Sequence, residues 1–65
     1  MKGLREARRA QGMTQKRLSV ALGISVTAIS LYEHGKMKPR LKTLMAMAEI
    51  LHVSIDYLVS GEEVA

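Results

Sequence analysis

Glycine and proline divide this chain before any hydrophobic pattern can run long. Gly12, Gly23, Gly35 and Pro39 cut its first forty residues into pieces of about three helical turns at most. Pieces this short cannot span a bilayer, which takes roughly 20 apolar residues. Nor do they form the continuous apolar face of a membrane-surface helix. No piece alternates with period two for long enough to make a strand. What remains is an all-α fold, a compact bundle of five short helices around one small core, in a single domain covering residues 1–65.

The boundaries follow from the same punctuation. A first helix is expected from about Lys2 to Ala10, with Leu4 and Ala7 inward and a stop at Gln11-Gly12. Thr14 is a good N-cap for a second, which turns Leu18, Leu22 and either Ser19 or Ala21 inward and ends at Gly23. Ser25 caps a third, running to His34 and stopping at Gly35. After the basic loop GKMKPR, a fourth covers about Leu41 to Leu51, with Leu41, Leu44, Met47 or Ala48, and Leu51 at helical spacing. His52 replaces the usual glycine at its end, and histidine tolerates the left-handed region better than most residues. Ser54 caps a last short helix through about Val59, and the tail SGEEVA is expected to fray.

Sixty-five residues lie near the lower limit for folding without staples, and the chain has no cysteine to supply them. Phe and Trp are absent, so the core must be aliphatic and methionine. Support beyond that core must come from tight packing or from a partner chain. The basic N-terminus has no apolar stretch behind it, so it does not read as a signal peptide, and a cytoplasmic location is expected.

Charge is strongly polarised. All ten Lys and Arg lie in residues 1–42 against only Glu6 and Glu33, while residues 43–65 carry four carboxylates and no Lys or Arg. One end is therefore suited to a polyanion. Within the basic part, LGISVTAISLYEHGK is unusual. On a helical projection Ile24, Ser25, Ala28, Ile29, Tyr32 and Glu33 fall on one half, and Val26, Thr27, Ser30, Leu31 and His34 on the other. The first half reads as a core face. The second shows small hydroxyls and aliphatics where a solvated helix would normally carry Lys or Glu. Something is expected to cover it.

Several motifs in combination carry a resemblance. They are Thr14-Gln15 opening a helix, Leu18, Leu22-Gly23, the Ser25 cap, Ile29, Tyr32-Glu33, Gly35, Pro39 and the closing Val53-Ser54-Ile55-Asp56. The chain resembles the Cro/repressor-type (XRE-like) helix-turn-helix transcription regulators over about residues 4–61. The resemblance implies a lambda-repressor-like DNA-binding domain whose helix-turn-helix covers about residues 15–34. It implies a major-groove recognition helix that reads bases through Ser25, Val26, Thr27, Ser30 and Leu31. Phosphates would be held by Thr14, Gln15, Lys36, Lys38 and Arg40, the last standing where the family usually has a Ser-like cap. Arg8 and Glu33 match a pair that the family joins as a partly buried salt bridge. If they pair, Arg8→Ala should cost about 3–5 kcal/mol, because Glu33 is then left unpaired.

The function implied is a sequence-specific DNA-binding regulator, a dimeric repressor on an inverted-repeat operator. The alternative is a controller or antitoxin-type autoregulator that also binds a partner protein. Met45, Ala46, Tyr57 and Val59 give the acidic half more apolar surface than it needs and are the candidate homodimer interface. No metal ligation is expected of His34 and His52, 18 residues apart, and helix-end positions explain both. No serine sits in a nucleophile arrangement and no Gly-rich loop could hold a nucleotide, so no catalysis, cofactor or small-molecule substrate is expected.

Overall fold

The computed structural model describes residues 1–62, in five helices: α1 (Leu4–Ala10), α2 (Gln15–Leu22), α3 (Val26–Glu33), α4 (Leu41–Leu51) and α5 (Ile55–Ser60). Three of them start on hydroxyl caps. The side chains of Thr14, Ser25 and Ser54 accept from the backbone N–H groups of Arg17, Ala28 and Tyr57, each at 3.0 Å. Gly23, at φ 69°, closes α2 with two reverse bonds, Gly23 N–H to Val20 O and Ile24 N–H to Ser19 O. That turn sends the chain directly into α3. His52 does the corresponding work after α4, at φ 56°.

The core is one cluster of Leu4, Ala7, Leu18, Ile29, Tyr32, Met47, Leu51 and Leu58, drawn from all five helices. Leu22, Ile24, Ala28, Leu44, Ala48 and Tyr57 pack against its edges. Helices α2 and α3 share the most extensive contact, and α4 packs on α2 and α5. Helix α1 is tied to α5 through backbone. Lys2 N–H donates to Val59 O at 3.3 Å and Gly3 N–H to Leu58 O at 3.1 Å. The two chains approach so closely that a Cβ on Gly3 would collide with the Tyr57 carbonyl.

Several details differ from the sequence-based expectations. Helix α1 begins at Leu4, because Lys2 and Gly3 are bonded to α5 and Gly3 serves as the cap. Leu41 is not a core residue: the inward column of α4 is Leu44, Met47 and Leu51, and Leu41, in the first turn, stays 67% exposed. In α2 it is Ser19 that is buried, its hydroxyl donating to Lys16 O at 2.7 Å, while Ala21 faces outward. Helix α5 runs one residue further, to Ser60, whose hydroxyl is bonded to Asp56 O and receives Glu62 N–H. Of the tail expected to fray, residues 63–65 lie outside the described residues. Among the described residues, no helix is long and apolar enough to cross a membrane.

Candidate nucleic-acid interface

Helix α3 buries Ile29 and Tyr32 and turns the opposite side outward. Thr27 is exposed, and Val26, Ser30 and Leu31 are half-exposed beside it. No charged residue occurs between Ile24 and Tyr32. The structure therefore presents the neutral face as one surface patch, with Ser25 at its leading end as the cap. The caps of α2 and α3 each satisfy one of the unpaired N–H groups of a first turn; the others, with the positive end of the helix dipole, remain for an anion. On the far side of α3, the loop after Glu33 carries Lys36, Lys38 and Arg40, all exposed and in no ion pair among the described residues. Arg40 occupies the cap position of α4 without a side-chain cap bond, so its guanidinium is not used by its own helix.

Glu33 ends α3 and ties three helices together. Its side chain is fully shielded, and it accepts from Arg8 Nε at 2.7 Å and Nη2 at 3.4 Å, from Arg5 Nε at 3.2 Å and from Gln15 Nε2 at 3.1 Å. Arg8 is itself buried and gives its other nitrogen to Met13 O at 2.8 Å. Burial pushes the Glu33 carboxyl up. The hydrogen bonds from Arg8, Gln15 and Arg5, with the charge of Arg8, outweigh that and hold it below its ordinary 4.5.

Arg8 and Glu33 are thus brought together, but the pair is part of a larger group. Sequence reasoning missed Arg5, although its spacing three residues before Arg8 on one helix face was a usable signal. Gln15, assigned to a phosphate, has its amide on Glu33. Only the NH₂ end can face a carboxylate, so one N–H is engaged and one remains. His34 lies at the helix end, Nδ1 2.8 Å from Ser30 O. Among the described residues no group of three His, Cys, Asp or Glu is placed to hold a metal.

The apolar candidates on the acidic side separate. Met45 and Val59 are 56% and 51% exposed. Ala46 is half-exposed. Tyr57 is half-buried against its own core and beside Gly3, so it belongs in part to the fold. Leu41 and Met37 are exposed as well, but they lie among the cations of the basic loop and the start of α4. An open groove of about 530 Å³ borders the basic loop, with Lys38 as well as Met37, Pro39, Leu44 and Val59 in its lining.

Most of the chain is similar to known proteins. The HTH-type transcriptional regulator YqaE of Bacillus subtilis is 41% identical over 59 residues, 91% of this chain and 51% of its own length. The transcriptional activator BcrR of Enterococcus faecalis is 40% identical over 60 residues, covering 92% of this chain and 29% of its own. The cryptic phage repressor RstR of Vibrio cholerae is 36% identical over 55 residues, 85% of this chain and 49% of its own. The chain spans about half the length of YqaE and RstR and less of BcrR. The family model described as helix-turn-helix matches residues 4–58, from the first residue of α1 to the last core leucine of α5. With two capped helices joined by a left-handed glycine inside that match, the chain belongs to the XRE-type helix-turn-helix family.

Proposed function

We propose that this domain binds double-stranded DNA with sequence preference and regulates transcription, as a homodimeric repressor on an inverted-repeat operator. The observation that carries the reading is the juxtaposition on α3 and its flanks. A face without charge, Val26, Thr27, Ser30 and Leu31, stands between capped helix starts and the cations Lys36, Lys38 and Arg40. An unpaired charge pressed against base edges is costly. Hydroxyls can exchange hydrogen bonds with the edges, and methyl groups can pack on thymine methyls. The cations and the starts of α2 and α3 then hold the sugar-phosphate backbone, which positions the domain without selecting sequence.

With three loop cations per protomer, log K should fall with log salt at a slope steeper by roughly 2.7 per protomer than without them. No Arg, Gln or Asn stands at Val26, Thr27 or Leu31, so bidentate reading of G or A by these positions is absent. Preference then rests on methyl contacts, water and DNA shape. Exposed Met45 and Val59 favour a second copy on the acidic side, which leaves the basic side for DNA. Repression would be by occlusion, in the cytoplasm; relatives named both repressor and activator make the sign a matter for transcription assays.

The test is selection of duplexes from a random pool at physiological salt. The expected product is an inverted repeat whose half-sites lie about 34 Å apart, one turn of the duplex. A pool that emerges unenriched refutes sequence preference, and enrichment of lone half-sites refutes the dimer.

A further inference from the structure

We infer that Arg5, on α1, is an additional phosphate-contacting residue that grips the backbone at the same place as Gln15; this rests on the DNA-binding reading above. Arg5 Nε and Gln15 Nε2 both donate to the one oxygen Oε1 of Glu33, at 3.2 and 3.1 Å. Two nitrogens sharing one oxygen are held within a few ångströms of each other. Gln15 is the first residue of α2, the helix start that a helix-turn-helix lays against the phosphates. A phosphate met there by the start of α2 is therefore within reach of the Arg5 guanidinium.

Charge and exposure point the same way. The carboxylate of Glu33 is neutralised by buried Arg8, which lies closer, at 2.7 Å, so the charge of Arg5 is in excess of what the cluster requires. The two arginine side chains differ in access: that of Arg8 is 9% exposed and that of Arg5 is 45% exposed. Of the five N–H donors of Arg5, the one on Nε is engaged. Beyond it, Nη2 has only His34 Nε2, at 3.5 Å, the outer limit of a hydrogen bond. A planar cation fixed at Nε, with its outer nitrogens open to solvent, is well arranged for a phosphate. Glu33 is then the positioning residue that aims Arg5 and Gln15 together.

The experiment measures binding of the domain to a mixed-sequence duplex over a salt series, alongside thermal melting. Arg5→Gln should reduce the slope of log K against log salt by about 0.9 per protomer. Arg5→Lys should restore the slope, and Arg9→Gln, on an exposed residue of the same helix, should leave it unchanged. An unchanged slope in Arg5→Gln, with or without a lower melting temperature, overturns the inference and leaves Arg5 a structural member of the cluster. Equal slope loss in Arg9→Gln also overturns it, since general charge would then explain the effect. A wild-type domain that binds no duplex at all refutes the DNA-binding reading itself, and is distinguished by that control.

Discussion

Arg8→Ala tests the physical role of the Glu33 cluster, and its cost can be worked from the contacts. The substitution removes bonds of 2.7 and 3.4 Å to Glu33 and one of 2.8 Å to Met13 O, from a residue that is 7% exposed. Breaking a buried pair from one side typically costs about 3–5 kcal/mol, because the other charge is left alone. Here it is not left alone: Arg5 Nε and Gln15 Nε2 remain on Oε1. The lower end applies, about 3 kcal/mol. A domain of this length has a total stability of roughly 3–10 kcal/mol, so the loss is a large fraction of it. The melting temperature should fall by roughly 12–24 °C. Urea unfolding followed by far-UV circular dichroism measures the change, with Arg9→Ala, an exposed neighbour, expected within about 0.5 kcal/mol of wild type. Arg5→Ala combined with Arg8→Ala should cost more than the two single losses together, because the last cation is then gone. If Arg8→Ala unfolds at the same urea concentration as Arg9→Ala, the cluster does not hold the fold and the reasoning fails.

Because the folded Glu33 carboxyl lies below its ordinary 4.5, its contribution to stability is complete above that value and is lost as pH falls through the folded pKa. Acid titration of unfolding should show a stability loss below 4.5 that Glu33→Gln does not show. Lys38→Ala should weaken binding to all duplexes alike and reduce the salt slope by about 0.9, whereas Thr27→Ala should change which duplexes are preferred. His52 holds a left-handed backbone, so His52→Gly should stabilise the domain by roughly 0.5–1 kcal/mol in the same urea assay. Sedimentation at tens of micromolar should give a dimer that Met45→Glu with Val59→Glu converts to monomer; a wild type that remains monomeric with and without DNA removes the dimer proposal.

Most of the fold was legible because its signals are local. A hydroxyl before a helical pattern satisfies N–H groups within three residues, and Thr14, Ser25 and Ser54 all do so. Helical period identified Leu4, Leu18, Ile29, Met47 and Leu51 as inward. What period cannot say is how far the neighbouring helices extend, and Leu41 was misplaced for that reason. Tyr57 looked like surplus apolar surface because its contact, Gly3, lies more than fifty residues away in sequence. Arg5 and Arg8, three residues apart, share one face of α1, but a two-residue motif names a single partner for Glu33, whereas the carboxylate has room for both.

The amide of Gln15 has a partner within the fold that its sequence position did not announce. A residue at a helix start has two possible audiences, the ligand and its own fold, and only distance decides between them. Here the fold comes first: Glu33 takes one N–H. That arrangement addresses a problem set by the small core. Apolar contact is non-directional, so eight buried side chains from five short helices limit the angle between α2 and α3 only loosely. Hydrogen bonds to a charged group are directional and stronger than neutral ones. By accepting from α1 and α2 at the last residue of α3, Glu33 fixes the neutral face of α3 relative to the start of α2, the offset on which the proposed simultaneous contact with bases and phosphates depends.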